Sequence, residues 1–224
     1  MTKTRALAFV LPLLAACAPA PKPTPMHPMH HGEGMHHRFD DPEVWAARFD
    51  DPGRDAWQRP DEVVKALAVA DDAKLADLGA GTGYFTVRLA RAAPKGVVSG
   101  VDVEPKMASY LEARAKKEGL ANVRGVVASA DDANLPEAVD LVLVVDTYHH
   151  LDARPAYFRR LQGKLTANGR VAIVDFRRGQ PMGPPDAHKI PADQVTAEMA
   201  EAGYRLDQGH AFLPNQHFLV FVRR

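Results

Sequence analysis

The chain has 224 residues, with 28 Lys and Arg set against 28 Asp and Glu. That balance leaves no basic field to grip a nucleic-acid backbone. Hydrophobic residues at 46% and charged residues at 25% suit one sizeable globular domain, and no apolar run reaches the roughly 20 residues needed to span a bilayer.

Residues 1–16 have the layout of an export signal. Lys3 and Arg5 form a short positive region, Ala6 to Leu14 are apolar, and small residues follow. Leu14, Ala15, Ala16 and Cys17 resemble the bacterial lipobox, whose cysteine is acylated. Cys17 is the chain's single cysteine. The resemblance implies an exported protein, lipid-anchored through Cys17 on the periplasmic side of the envelope. The plain alternative is an apolar N-terminus with a chance cysteine.

Residues 17–38 read as a linker. Pro19, Pro21, Pro23, Pro25 and Pro28 favour extended, hydrated backbone. His27, His30, His31, His36 and His37, interspersed with methionines, are weak candidates for a bound metal. A solvated spacer is the better reading, because nothing here fixes a coordination geometry. Residues 39–60 form a lead-in or lid, with FDDP at Phe39 and again at Phe49. Each Asp-Asp-Pro opens a short helical turn. Of the two tryptophans, Trp45 and Trp57, one reading packs one of them on the core; the other has Trp57, beside Arg54 and Gln58, help close a pocket.

The main domain follows over 61–224, with strand and helix alternating. Val63, Val64, Leu67 and Ala68 mark a helix face. KLADL is a buried strand ending in glycines, and Tyr84–Ala92 is helical. GVVSGVD is a second strand, Pro105–Gly119 an amphipathic helix, and NVRGVVA a third strand. VDLVLVVD is apolar nearly throughout, as a central parallel strand should be. Helix Arg154–Leu165, strand RVAIVDF and helix Pro191–Ala202 come next, then a terminal hairpin around PNQ. The pattern predicts an α/β fold with a doubly wound parallel sheet and ligands beyond the strands' carboxyl ends.

Asp77-Leu-Gly79-Ala80-Gly81-Thr-Gly83 lies between strand and helix. Its glycines permit sharp turns and close approach to a ligand, and the following helix offers N–H groups to a carboxylate. Asp102, ending the second strand, suits the two hydroxyls of a ribose. Asp131 and Asp132 can accept from an adenine amine. The spacing G-x-G-x-G departs from the dinucleotide fingerprint G-x-G-x-x-G, which disfavours a nicotinamide-dependent oxidoreductase.

ADLGAGTGYF, GVDVEPKM, DDANLP, VDLVLVVDTYHHL and GRVAIVDF, in that order, resemble the class I S-adenosylmethionine-dependent methyltransferases, closest to the small-molecule type. The resemblance implies a Rossmann-like seven-stranded sheet with an antiparallel last strand and helices on both faces. It places Asp77, Gly79, Ala80, Gly81 and Gly83 on the methionine part of S-adenosyl-L-methionine and Asp102 and Val103 on its nucleoside. Ala130, Asp131 and Asp132 then lie near adenine. Asp146 borders donor and acceptor, and Tyr148, His149 and His150 are candidate catalytic groups. His188 is a further candidate on the acceptor side, while His210 and His217 read as structural. The expected function is methyl transfer to a small-molecule acceptor by a lipid-anchored envelope protein. The alternative is a non-catalytic lipoprotein that binds donor or metal on the same fold.

Overall fold

The computed structural model describes residues 41–224. Cys17 and the tether histidines His27, His30, His31, His36 and His37 lie outside the described residues, as do Phe39 and Asp40.

Three short helices come first, α1 (Pro42–Phe49), α2 (Gly53–Gln58) and α3 (Pro60–Leu67). The Asp-Pro pairs explain the first two. Asp41 caps Val44 N–H ahead of Pro42, and Asp51 Oδ1 accepts from Gly53 N at 2.7 Å. Arg59, in the left-handed region at φ 49°, turns the chain between α2 and α3.

The alternating part runs β1 (Lys74–Leu78), α4 (Thr86–Ala92), β2 (Val97–Asp102), α5 (Pro105–Lys117), β3 (Val123–Val127) and β4 (Val139–Val145). It continues with α6 (Arg154–Leu161), β5 (Leu165–Phe176), α7 (Ala192–Glu201), β6 (Tyr204–His210) and β7 (Gln216–Arg223). The seven strands lie in the order β3-β2-β1-β4-β5-β7-β6. β1 to β5 pair in parallel, and β7 runs antiparallel to both β5 and β6. The strand order reverses between β1 and β4, so the crevice beyond their carboxyl ends is the natural ligand site.

Successive strand residues feed opposite faces. Val142, Val144 and Ile173 pack with Tyr148, Phe158 and Met199 on one side. Leu141, Leu143 and Val174 pack with Leu67, Leu89 and Phe218 on the other. β4 is buried on both faces, which accounts for its apolar run from Leu141 to Val145. Truncating fully buried Leu143 to alanine would cost ~2–5 kcal/mol.

Two boundaries differ from the sequence pattern by four residues or more. α6 ends at Leu161, because Gln162–Lys164 tighten into a 3-10 turn. β5 begins before Arg170, because Leu165 already pairs with Val139 ahead of a register shift. Among the described residues no helix is long and apolar enough to cross a membrane.

Candidate active site

β1 delivers Asp77 to its carboxyl end, where the side chain is 3% exposed. Its Oδ2 accepts a 2.6 Å hydrogen bond from Thr86 Oγ1 at the start of α4. Burial pushes the carboxyl up to about 6, against the pull of the Thr86 hydrogen bond and the Arg54 charge. Between these two residues the glycine loop turns through three positive φ angles, 77° at Gly79, 53° at Gly81 and 90° at Gly83. Two of these positions also need the absence of a side chain. A Cβ on Gly79 would overlap the Thr147 side chain, and one on Gly83 would overlap Leu111. The loops after β1 and β4 are thereby in direct contact.

β2 brings Asp102 beneath the same loop. Its Oδ2 accepts from Gly81 N at 2.9 Å and its Oδ1 from Glu104 N at 2.9 Å. Burial raises its pKa despite both bonds. A carboxylate has about four acceptor positions, so each oxygen retains capacity for a hydroxyl. Val103, next in sequence, leaves its apolar side chain 55% exposed beside this carboxylate. Ala130, Asp131 and Asp132 lie just past β3, whose ladder continues with Ala128 N donating to Asp102 O. Asp132 Oδ1 accepts from Asn134 N, and Asp131 Oδ2 accepts from Arg160 at 2.9 Å. The two carboxylates thus already serve their own loop and α6.

Asp146, at φ 53° just past β4, is the hub of the crevice. Its Oδ2 accepts from Gln58 Nε2 at 2.9 Å and from Arg54 Nη2 at 3.5 Å, and its Oδ1 accepts from Gln216 Nε2. Gln58 and Gln216 are both fully buried. Burial lifts Asp146 to about 6, opposed mainly by the Arg54 charge. Sequence reasoning names Gln58 only as a neighbour of Trp57 and gives Gln216 no site role: an isolated amide carries no spacing signal, and these two lie 158 residues apart.

The lead-in covers this hub. Phe49 places ring carbons 3.3–3.4 Å from where a Cβ on Gly81 would lie. Arg54 Nη1 donates to Phe49 O at 2.7 Å, its Nε donates to Gln58, and its guanidinium sits 4.1 Å from the Tyr84 ring centroid. Thr82 Oγ1 donates to Asp50 Oδ1 at 3.2 Å, and Arg114 Nη1 donates to the same oxygen at 2.7 Å. Trp57 meets Phe176 of β5 with ring centroids 6.0 Å apart.

The three neighbouring candidates after β4 part ways. His149 is buried, and its Nδ1 lies 2.8 Å from Asp175 Oδ1 and 3.0 Å from Oδ2. Its backbone N also donates to Asp175 Oδ2 at 3.0 Å. Burial favours neutral His149, but the Asp175 hydrogen bond and charge, with Asp146 helping, hold its pKa above the usual value. His150 is exposed, its ring 4.1 Å from that of His149. Tyr148 does not join the crevice. It is fully buried in the core, its hydroxyl donates to Glu198 of α7 at 2.7 Å, and its ring stacks on Phe158. Asp175 was absent from the sequence reading because its partner lies 26 residues earlier on another element. His188 lies in the 3-10 turn Asp186–His188. His217 is buried opposite Asp175 in the β5–β7 ladder, with Nε2 unpartnered, as is Nε2 of His210.

Residues 75–169 match a family model described as a methyltransferase domain. The chain is 28% identical over 148 residues to 27-O-demethylrifamycin SV methyltransferase of Amycolatopsis mediterranei, covering 65% of this chain and 52% of the relative. It is 24% identical over 105 residues to (S)-coclaurine N-methyltransferase of Thalictrum flavum subsp. glaucum, covering 47% of this chain and 29% of the relative. The chain thus spans about half or less of the length of these curated relatives. A SAM-dependent methyltransferase from Aquifex aeolicus superposes with a TM-score of 0.75 at 24% identity, covering 81% of this chain and 97% of that one. Residues 75–169 are thus similar to a methyltransferase domain, and the seven-stranded sheet has the fold of the Aquifex aeolicus SAM-dependent methyltransferase.

Proposed function

We propose that the protein transfers a methyl group from S-adenosyl-L-methionine to a small-molecule acceptor. The observation that carries this reading is the 2.9 Å hydrogen bond from Gly81 N to Asp102 Oδ2. It ties the glycine loop of β1 to the carboxylate of β2 and makes one crevice of the two. The residues present fit the donor. Asp102 has acceptor capacity for ribose hydroxyls, Val103 offers an exposed apolar surface to a flat base, and Asp77 supplies a carboxylate at the methionine end.

Bound S-adenosylmethionine would supply a methyl already activated by its sulfonium. What remains for the chain is alignment and exclusion of water. Trp57, Phe176 and Phe49 furnish apolar cover. His149, with Nδ1 engaged by Asp175, presents Nε2 as the atom that takes an acceptor proton. The relatives' names include one oxygen-linked and one nitrogen methylation, so they leave the acceptor atom open.

A second reading is donor binding without transfer. It is favoured by Asp146, whose carboxylate is held by three side-chain donors of the chain itself. Metal capture rests on the tether alone, since no cluster of three or more ligating residues occurs among the described residues. Export and anchoring through Cys17 are likewise proposed from the N-terminal sequence. Incorporation of labelled fatty acid, lost in Cys17→Ser, tests that part.

Calorimetry tests the main reading. S-adenosylmethionine and its demethylated product should bind saturably, and Asp102→Ala should lose both. Binding of NAD alone, or no nucleoside binding at all, contradicts it.

A further inference from the structure

The carboxyl end of β5 carries a cation that the protein does not compensate. Among the described residues, Arg177 is the one arginine whose side chain has no hydrogen bond, ion pair or ring contact. Elsewhere Arg114 and Arg154 reach carboxylates, and Arg170 and Arg178 reach carbonyls. Arg177 is half-buried, and its backbone N donates to Asn215 O at 2.9 Å, one step past the Phe176–Gln216 pair of the β5–β7 ladder. It stands two residues beyond Asp175. Residues two apart on extended backbone share a face, so Arg177 lies on the side that holds the His149–Asp175 pair.

A second unmet group lies alongside. His217 sits opposite Asp175 in the ladder, is 4% exposed, and has no partner for its buried Nε2. Burial lowers its pKa and the Arg177 charge adds to this, against the pull of Asp175, so the imidazole stays neutral. The nearby carboxylates are already spent. Asp175 accepts from His149 Nδ1 at 2.8 Å, from His149 N at 3.0 Å and from Phe176 N at 2.8 Å. Asp186, the acid of the loop after β5, accepts from Lys189 Nζ and Gly179 N, each at 2.9 Å. The crevice is thus divided. Buried carboxylates Asp77, Asp102 and Asp146 end β1, β2 and β4, whereas at β5, beside His149, the unmatched charge is positive.

We propose that the methyl acceptor is an acid, and that Arg177 holds its oxyanion, a carboxylate or a phosphate, at the end of β5 beside His217. The proposal rests on the transfer reading above and names the class of acceptor. Guanidinium presents its N–H donors in a flat fork that matches either anion. One anion meets both deficits: it neutralises Arg177 and accepts from His217 Nε2 when that atom carries the ring proton. Held there, the rest of the acceptor is directed toward His149 on the same side of the sheet.

The experiment follows the histidine imidazole resonances of the purified full chain by NMR. S-adenosylhomocysteine is first shown to bind by calorimetry and is then kept present. Benzoate, phenyl phosphate and benzamide are titrated in turn, the last being the neutral counterpart of the first. One or both anions should shift the His149 and His217 resonances saturably, and benzamide should leave them in place. The tighter anion tells a carboxylate acceptor from a phosphate one. Arg177→Ala should weaken that anion about tenfold or more, the worth of hydrogen bonds to a charged group. Arg177→Lys should recover only part, since it restores the charge without the fork. Benzamide binding as tightly as benzoate, no response to either anion, or equal anion affinity in Arg177→Ala overturns the proposal while the donor reading stands. Failure of S-adenosylhomocysteine to bind overturns the donor reading, and this assignment with it. The comparison of benzoate with its amide uses the unaltered chain, which keeps the test decisive should a variant fold poorly.

Discussion

Arg54 of α2 approaches Asp146, just past β4, with Nη2 3.5 Å from Oδ2 across 92 residues of sequence. This pairing, with Gln58 and Gln216 on the same carboxylate, joins the N-terminal lead-in to the carboxyl edge of the sheet. The carboxylate is buried and its pKa is lifted to about 6, as is that of Asp77. The crevice therefore concentrates negative charge that the protein itself disfavours, and a cationic ligand relieves the imbalance.

Asp77→Asn is expected to separate stability from binding. The folded-state pKa of Asp77 is raised from 3.8 to about 6, so the folded protein holds its proton more tightly than the unfolded chain. Its contribution to stability is thus fully present below about pH 4 and is lost as pH rises through 6. At pH 7.5 the amide variant should melt higher than the unaltered protein, yet bind S-adenosylmethionine at least tenfold more weakly. A variant that melts lower and binds equally well would remove Asp77 from the site.

Binding of the cationic donor should tighten between pH 5 and 7, as Asp77 and Asp146 ionise. The demethylated product lacks the sulfonium charge and should show a shallower dependence. Calorimetric titrations of both ligands across that range check this, and parallel pH profiles for the two would contradict it.

The Tyr148 hydroxyl is bound to Glu198, which also accepts from Arg154 Nε at 2.7 Å. Tyr148→Phe is expected to lower stability by ~1 kcal/mol and to leave donor affinity unchanged. Glu198 is desolvated, but the Arg154 and Tyr148 hydrogen bonds outweigh this and bring it down to about 2. That group's stabilisation is present above its ordinary value of 4.5 and is lost as pH falls through 2. Urea melts at pH 7 and pH 3 should show the penalty of Glu198→Gln shrinking with acid.

Asp175→Asn should lower the His149 pKa, since the carboxylate's hydrogen bond and charge hold it above 6.5. If His149 takes the acceptor proton, the acid limb of the methyl-transfer rate should move to lower pH with it. Imidazole resonances in NMR titrations give the pKa independently of turnover. A shifted resonance with an unmoved rate profile would leave His149 and Asp175 a purely structural pair.

Much of the scaffold was legible in the sequence, because burial on both faces writes an apolar run. KLADL and VDLVLVV read as strands and are β1 and β4. The glycine loop and Asp102 were legible too, since left-handed turns need glycine and the end of β2 is a fixed place in the fold. The hub around Asp146 was not. Arg54, Gln58, Gln216 and Asp175 come from distant elements, and polar side chains leave no periodic trace. Tyr148 shows the opposite failure. It neighbours His149 in sequence, but the 3-10 turn Tyr148–His150 sends it into the core against Phe158.

The most direct measurement is a crystal structure of the protein grown with S-adenosylhomocysteine. The account predicts the ribose hydroxyls within hydrogen-bonding distance of the Asp102 carboxylate and the base against Val103, above the Gly79–Gly83 loop. A nucleoside bound elsewhere, with Asp102 engaged only by Gly81 and Glu104, would contradict it.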